Sequence, residues 1–122
     1  MLAQDNLGLS YSNLGDVAMR EGKLAEARAA YQKPQDICQR MTQSHPQDLM
    51  PREHLKDSHL KLGMVAKAAM EWKMAIESYE AAKRILVELD RQVATGAYSA
   101  AIVDVERQIE ECRKAGDSAQ NK

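Results

Sequence analysis

The sequence predicts an all-α fold built from antiparallel helical hairpins. Three observations carry that expectation. Between its breaks the chain is written in Ala, Leu, Glu, Lys, Gln, Arg and Met, the residues that favour helix most. Of the six Gly and three Pro in the 122 residues, Gly22, Gly96, Gly116, Pro46 and Pro51 fall where helical patterns stop, and Pro34 is the only proline inside one. No stretch joins period-two alternation to β-branched or aromatic enrichment, so no strand is expected.

The punctuation sets the elements in order. A first helix should span Asp5 to Glu21 and end at Gly22, which suits the left-handed stop position. A second should span Leu24 to Ser44, because His45-Pro46 cannot continue it. Residues 44–52 hold Pro46 and Pro51 and read as the longest loop. A third helix should run from Arg52, with Pro51 suited to a first-turn position, to about Met70. A fourth should run from Trp72 to Ala94 before Thr95-Gly96, and a fifth from Ala97 to Ala115. Residues 116–122 are small and polar and read as a disordered tail.

An internal repeat organises these elements. Shifting the chain by 48 residues superposes Leu7 on Leu55, Ser10 on Ser58, Leu14-Gly15 on Leu62-Gly63 and Val17-Ala18 on Val65-Ala66. It also superposes Ala27 on Ala75, Tyr31 on Tyr79 and Ile37 on Ile85, nine identities over 37 ungapped pairs. Ordinary composition would give about two. Glycine inside a helix costs roughly 1 kcal/mol against Ala, so Gly15 and Gly63 should each mark a close approach of another element. Leu14, Gly15 and Ala18 are expected on the inner stripe of the leading helix, facing Ala27 and Tyr31 on the returning one. The returning helices carry apolar stripes at helical spacing. These are Leu24, Ala27, Tyr31, Pro34, Cys38, Met41 in the first and Trp72, Ala75, Tyr79, Ala82, Leu86, Leu89, Val93 in the second. Pro34 removes an amide from the helical ladder and is expected to kink the second helix near Ala30–Pro34.

Leu14-Gly15, Ala18, Gly22, Ala27 and Tyr31, matched by Leu62-Gly63, Ala66, Ala75 and Tyr79, resemble the tetratricopeptide repeat. The resemblance covers about three-quarters of the chain and implies a right-handed stack of antiparallel hairpins, an α-solenoid. It implies a single domain over residues 1–115, with repeats at about 5–44 and 52–94 and a capping helix at 97–115. Two departures stand out: the period is 48 residues rather than about 34, and Pro34 stands where the second copy has Ala82. The fifth helix is not a third full repeat. Its apolar stripe of Tyr98, Ala101, Ile102, Val105, Ile109 and Cys112 against a charged remainder suits a solvating cap. Nothing comparable precedes the first hairpin, and repeat stacks usually need about three units. Membership of a longer array or self-association is therefore expected.

Composition excludes several roles. Seventeen Lys and Arg against eighteen Asp and Glu leave a net charge of −1, without the cationic field that nucleic-acid binding needs. Phe is absent and aromatics are 4% of the chain, too few for a base-stacking platform. No apolar run approaches the roughly 20 residues of a membrane span, and the N-terminus carries no export signal. Cys38 and Cys112, on apolar stripes, read as core residues in a reducing setting, so a cytoplasmic location is expected. No phosphate loop, nucleophile elbow or metal-ligand motif is present, and no enzymatic activity or cofactor is expected. His54 and His59 lie five apart, about 140° around a helix, so they do not share one face for a metal.

What remains is a protein- or peptide-binding module. In the family that the chain resembles, leading helices line a concave groove. Helical periodicity places Leu9, Ser12, Asp16, Met19 and Arg20 of the first copy on that face, with Asp57, Leu60, Met64, Lys67 and Ala68 of the second. Ser12 and Asp16 stand where some relatives of that family carry a carboxylate-clamping Lys and Asn, so a C-terminal carboxylate ligand is not implied. The alternative is a His-phosphotransfer-like helical signalling domain around His54-Leu55-Lys56, where Leu-Lys comes one residue too early and no Gly follows.

Overall fold

The structure of the protein, a computed structural model, describes residues 2–93 and 95–120, with side chains described for 10–93 and 95–119. Within them the chain forms five α-helices: α1 (Leu2–Arg20), α2 (Leu24–Ser44), α3 (Leu49–Ala68), α4 (Trp72–Val93) and α5 (Ser99–Gln120). Each packs closely on the next in sequence.

The two tight turns share one hydrogen-bond pattern. Lys23 N–H donates to Ala18 O at 2.8 Å and Gly22 N–H to Met19 O at 3.1 Å. Glu71 N–H donates to Ala66 O at 2.9 Å and Met70 N–H to Lys67 O at 3.0 Å. Both are helix stops closed by a left-handed residue, at φ +73° in Gly22 and +58° in Met70. Met70 reaches that conformation despite its Cβ, which costs about 1–2 kcal/mol.

Inside each hairpin the leading glycine meets the returning tyrosine. A Cβ on Gly15 would lie 2.6 Å from Tyr31 Cδ1, and one on Gly63 would lie 3.0 Å from Tyr79 Cε1. The two glycines therefore share an environment, as the 48-residue repeat requires. Their hairpins feed two core clusters. Ala18, Ala27 and Tyr31 of the first hairpin receive Leu62 and Val65 of α3. Ala66, Ala75, Tyr79 and Leu86 of the second receive Val105, Ile109 and Cys112 of α5. So α3 seats on the α1–α2 pair, and α5 seats on the α3–α4 pair.

Three details differ from the sequence reading. Leu14 is 60% exposed rather than on the inner stripe, while its counterpart Leu62 is 8% exposed. The reason is what each one meets: Leu62 packs against the first hairpin, whereas Leu14 lies mostly open. Helix α3 starts at Leu49, because Asp48 caps it by accepting from Met50 N–H at 3.2 Å. Pro51 then falls in the first turn, where its missing N–H would be unpaired anyway. Helix α5 runs on to Gln120 instead of yielding to a tail at 116, since Gly116 packs against Trp72 rather than ending the helix. The last two residues, 121 and 122, lie outside the described residues, as does Ala94.

Helix α2 stays helical through Pro34, which is buried on the stripe with Ala27, Tyr31, Cys38 and Met41. Pro34→Ala should restore one helical bond and about 3 kcal/mol of helix propensity, against roughly 1–2 kcal/mol of lost ring burial. Ala82, its fully buried counterpart, shows that the stripe accepts Ala there. The expected net is a stabilisation of about 1 kcal/mol, read as a rise of several degrees in the midpoint of a thermal melt.

Candidate functional site

Charged and polar side chains join α3 to α1 and to α5. Lys61 Nζ of α3 donates to Asp16 Oδ1 of α1 at 2.9 Å, and Tyr31 Oη donates to the same oxygen. Lys61 Nζ also sits 5.8 Å from the Tyr31 ring centroid, within cation–π range. Further along, Lys67 Nζ of α3 bonds Gln108 Oε1 at 2.6 Å and Glu111 Oε2 at 2.7 Å on α5, and Tyr98 Oη donates to Glu53.

This ladder decides where the ten groove residues stand. Asp16 and Lys67 are engaged in it. Met19 and Leu60 lie against the two core clusters, and Ser12 is half-buried. Arg20, Asp57, Met64 and Ala68 are exposed, with Asp57 paired to Lys56 at 2.9 Å. The side chain of Leu9 lies outside the described residues. The face therefore presents charge and methionine on a partly pre-paired polar base.

The two copies treat their tyrosines differently. Burial would raise the Asp16 carboxyl, but the bonds from Tyr31 and Lys61, with the Lys61 and Arg20 charges, hold it below its ordinary value. Burial and the neighbouring Asp16 carboxylate push Tyr31 well above the usual phenol range. In the second copy Met64 replaces Asp16, and burial foremost, with Cys112, Asp104 and Glu111, pushes Tyr79 up to about 12.

These shifts predict a pH profile for the Asp16 contribution. A depressed carboxyl stabilises above its unfolded value near 4 and loses that contribution as pH falls through its folded value. A raised phenol stabilises below about 10 and loses its contribution above that. Asp16→Asn should therefore cost on the order of 1 kcal/mol on a plateau from about pH 5 to 9, given partial exposure. The difference from wild type should shrink on both sides of that plateau. Urea unfolding across the pH range reads it.

Elsewhere the chemistry is sparse. His54 is exposed, while half-buried His59 places Nδ1 3.2 Å from Gln35 Nε2. Burial foremost, then the Arg84 charge, lowers the His59 pKa. Cys38 and Cys112 are both buried. Among the described residues no three His, Cys, Asp or Glu are grouped to hold a metal ion. No helix among them is long and apolar enough to cross a membrane.

A surface that sequence reasoning missed is a trough along the α4–α5 seam. Its two halves, about 530 and 630 Å³, meet at Arg113. One half has Val87 and Ile109 on its floor between Lys83, Arg84, Arg91 and Arg113 and the carboxylates of Glu80, Glu88, Glu106 and Glu110. The other is lined by Trp72, Ile76, Cys112, Gly116 and Ala119, with Lys73, Glu77 and Asp117 at its rim. Trp72 and Ile76, at i and i+4 beside the Ala75–Tyr79 stripe, were the available signal. Comparison of the chain with models of known protein families, with curated proteins and with solved structures finds no match.

Proposed function

We propose that the chain is a non-enzymatic binding module of tetratricopeptide-like architecture. In this reading its hairpins stack right-handedly, α5 closes the stack, and the leading helices bind a peptide or partner helix on their shared face. The observation that supports it most is the recurrence of one packing device, glycine against tyrosine, in both hairpins. Each device brings a leading helix close to its returning partner. That leaves the opposite sides of α1 and α3 to form one surface with α5.

Arg20, Asp57, Met64 and Lys67 are the residues best placed to touch a ligand there. Met64 offers an adaptable apolar contact, and the exposed charges give orientation. Lys67 is held by Glu111 and Gln108, so its ammonium is aimed before a ligand arrives.

The test is a peptide library screened against the full chain, with binding sites mapped by amide chemical shifts. Selected peptides should perturb α1 and α3 around Arg20 and Met64. The double variant Arg20→Glu, Lys67→Glu should weaken acidic ligands at least tenfold. Ligands that map only to other faces, or a screen that selects nothing, would overturn the reading.

A further inference from the structure

Two apolar surfaces of the described helices stay open, one on α1 and one along α4–α5. At the start, Ser10, Leu14 and Val17 of α1 recur as the identical residues Ser58, Leu62 and Val65 of α3. In α3 all three are buried, with Leu62 and Val65 seated on the α1–α2 pair beside Ala18, Ala27 and Tyr31. In α1 the same stripe faces outward, with Leu14 60% and Val17 44% exposed. The fold thus shows what this stripe does when it is covered: it seats in the seam of an antiparallel helix pair.

Along its trough, the α4–α5 pair presents a seam with no described helix in it. The α1–α2 pair receives α3, and the α3–α4 pair receives α5. The α4–α5 pair has the open trough, floored by Trp72, Ile76, Ile109 and Cys112 and lined by those two helices alone. The lengths agree as well. Nineteen residues of α1 and the stretch from Trp72 to Arg91 each span about 28 Å at 1.5 Å per residue.

We propose that α1 of a second copy of this chain seats in the α4–α5 trough with Leu14 and Val17 inward, joining copies head to tail. Trp72 and Ile76 supply the apolar contact. Arg20 and Glu21, which flank the stripe, meet a rim carrying both signs, Lys73 and Arg113 against Glu77 and Asp117. Such a contact joins unlike surfaces and does not close on itself at two copies, so the assembly grows with concentration. Of the exposed groove residues it shares only Arg20, and it needs no ligand, so it stands whether or not the leading-helix face binds a peptide.

Sedimentation velocity on the full chain, from about 5 to 500 µM, tests it. Wild type should show a mass that rises with concentration past the dimer. Leu14→Asp and Ala119→Arg change exposed residues on opposite surfaces, so each should remain monomeric with an unaltered helical signal. Val87→Arg, lower in the trough, replaces Ala119→Arg should that variant fail to fold. Mixing the two blocked variants is the decisive arm. The Leu14→Asp copy keeps an intact trough and the Ala119→Arg copy an intact α1, so the mixture should form a 1:1 dimer and stop. A wild type that stays monomeric throughout the range overturns the proposal. So does association abolished by Leu14→Asp but untouched by both trough variants, which would mean that α1 meets α1 of the partner copy. A mixture that forms nothing also overturns it.

Discussion

Tyr79→Ala should lower the unfolding free energy by about 3–5 kcal/mol. The ring is buried between Gly63 on one side and α5 on the other, in the cluster that holds Ala66, Leu86, Val105 and Cys112. Gly63 cannot fill the void because it has no side chain, so the cavity stays open unless α3 and α4 approach further. A domain of this size has only about 5–15 kcal/mol to lose. The hydroxyl contributes little, since among the described residues it makes no hydrogen bond. Tyr79→Phe should therefore lie within about 0.5 kcal/mol of wild type. Tyr31→Phe differs, because its hydroxyl donates to the Asp16 carboxylate, and about 1–2 kcal/mol should be lost. Urea denaturation followed by far-ultraviolet circular dichroism separates the three variants. A Tyr79→Ala loss under 2 kcal/mol would show that the second hairpin does not depend on its glycine–tyrosine contact.

The helices were legible where a residue type fixes the backbone. Gly22 and the His45-Pro46 pair bound α2 at both ends, and Ala27, Tyr31, Pro34, Cys38 and Met41 face the core as their spacing requires. Legibility failed where one residue type serves two purposes. Gly116 reads as a stop, yet its missing Cβ admits the Trp72 side chain and the helix continues. The prolines of residues 44–52 read as a loop with helix from Arg52, yet Asp48 caps the helix and Pro51 already lies in its first turn. The candidate groove was legible only in part, for a related reason. Periodicity assigns a face to each side chain but does not say which other helix covers that face. Met19 and Leu60 were therefore placed on an open groove, whereas both lie against core clusters. Asp16 and Lys67 find partners 45 and 44 residues away, distances at which sequence spacing carries no signal. The α4–α5 trough was hidden because its floor belongs to the core stripes and its rim reads as an ordinary charged surface.

The same substitution made in the two copies should give opposite results, and this contrast probes the stack most directly. Leu62→Ala should cost about 2–5 kcal/mol, because it empties a site between α3 and the first hairpin. Leu14→Ala, its counterpart 48 residues earlier, should fall within about 0.5 kcal/mol of wild type at low protein concentration, where the stripe lies in water. The residues are identical and so are their neighbours Gly15 and Gly63, so local propensity cancels in the comparison. What differs is the presence of a hairpin on the preceding side. At high concentration the Leu14 variant gains a second readout. Self-association through α1 would stabilise the folded state by mass action, and Leu14→Ala would remove that gain. The gap between wild type and Leu14→Ala in thermal midpoint should then widen as concentration rises, while the gap for Leu62→Ala should persist at every concentration. Equal costs at the two positions in dilute solution would mean that the 48-residue repeat in sequence is not a repeat in packing.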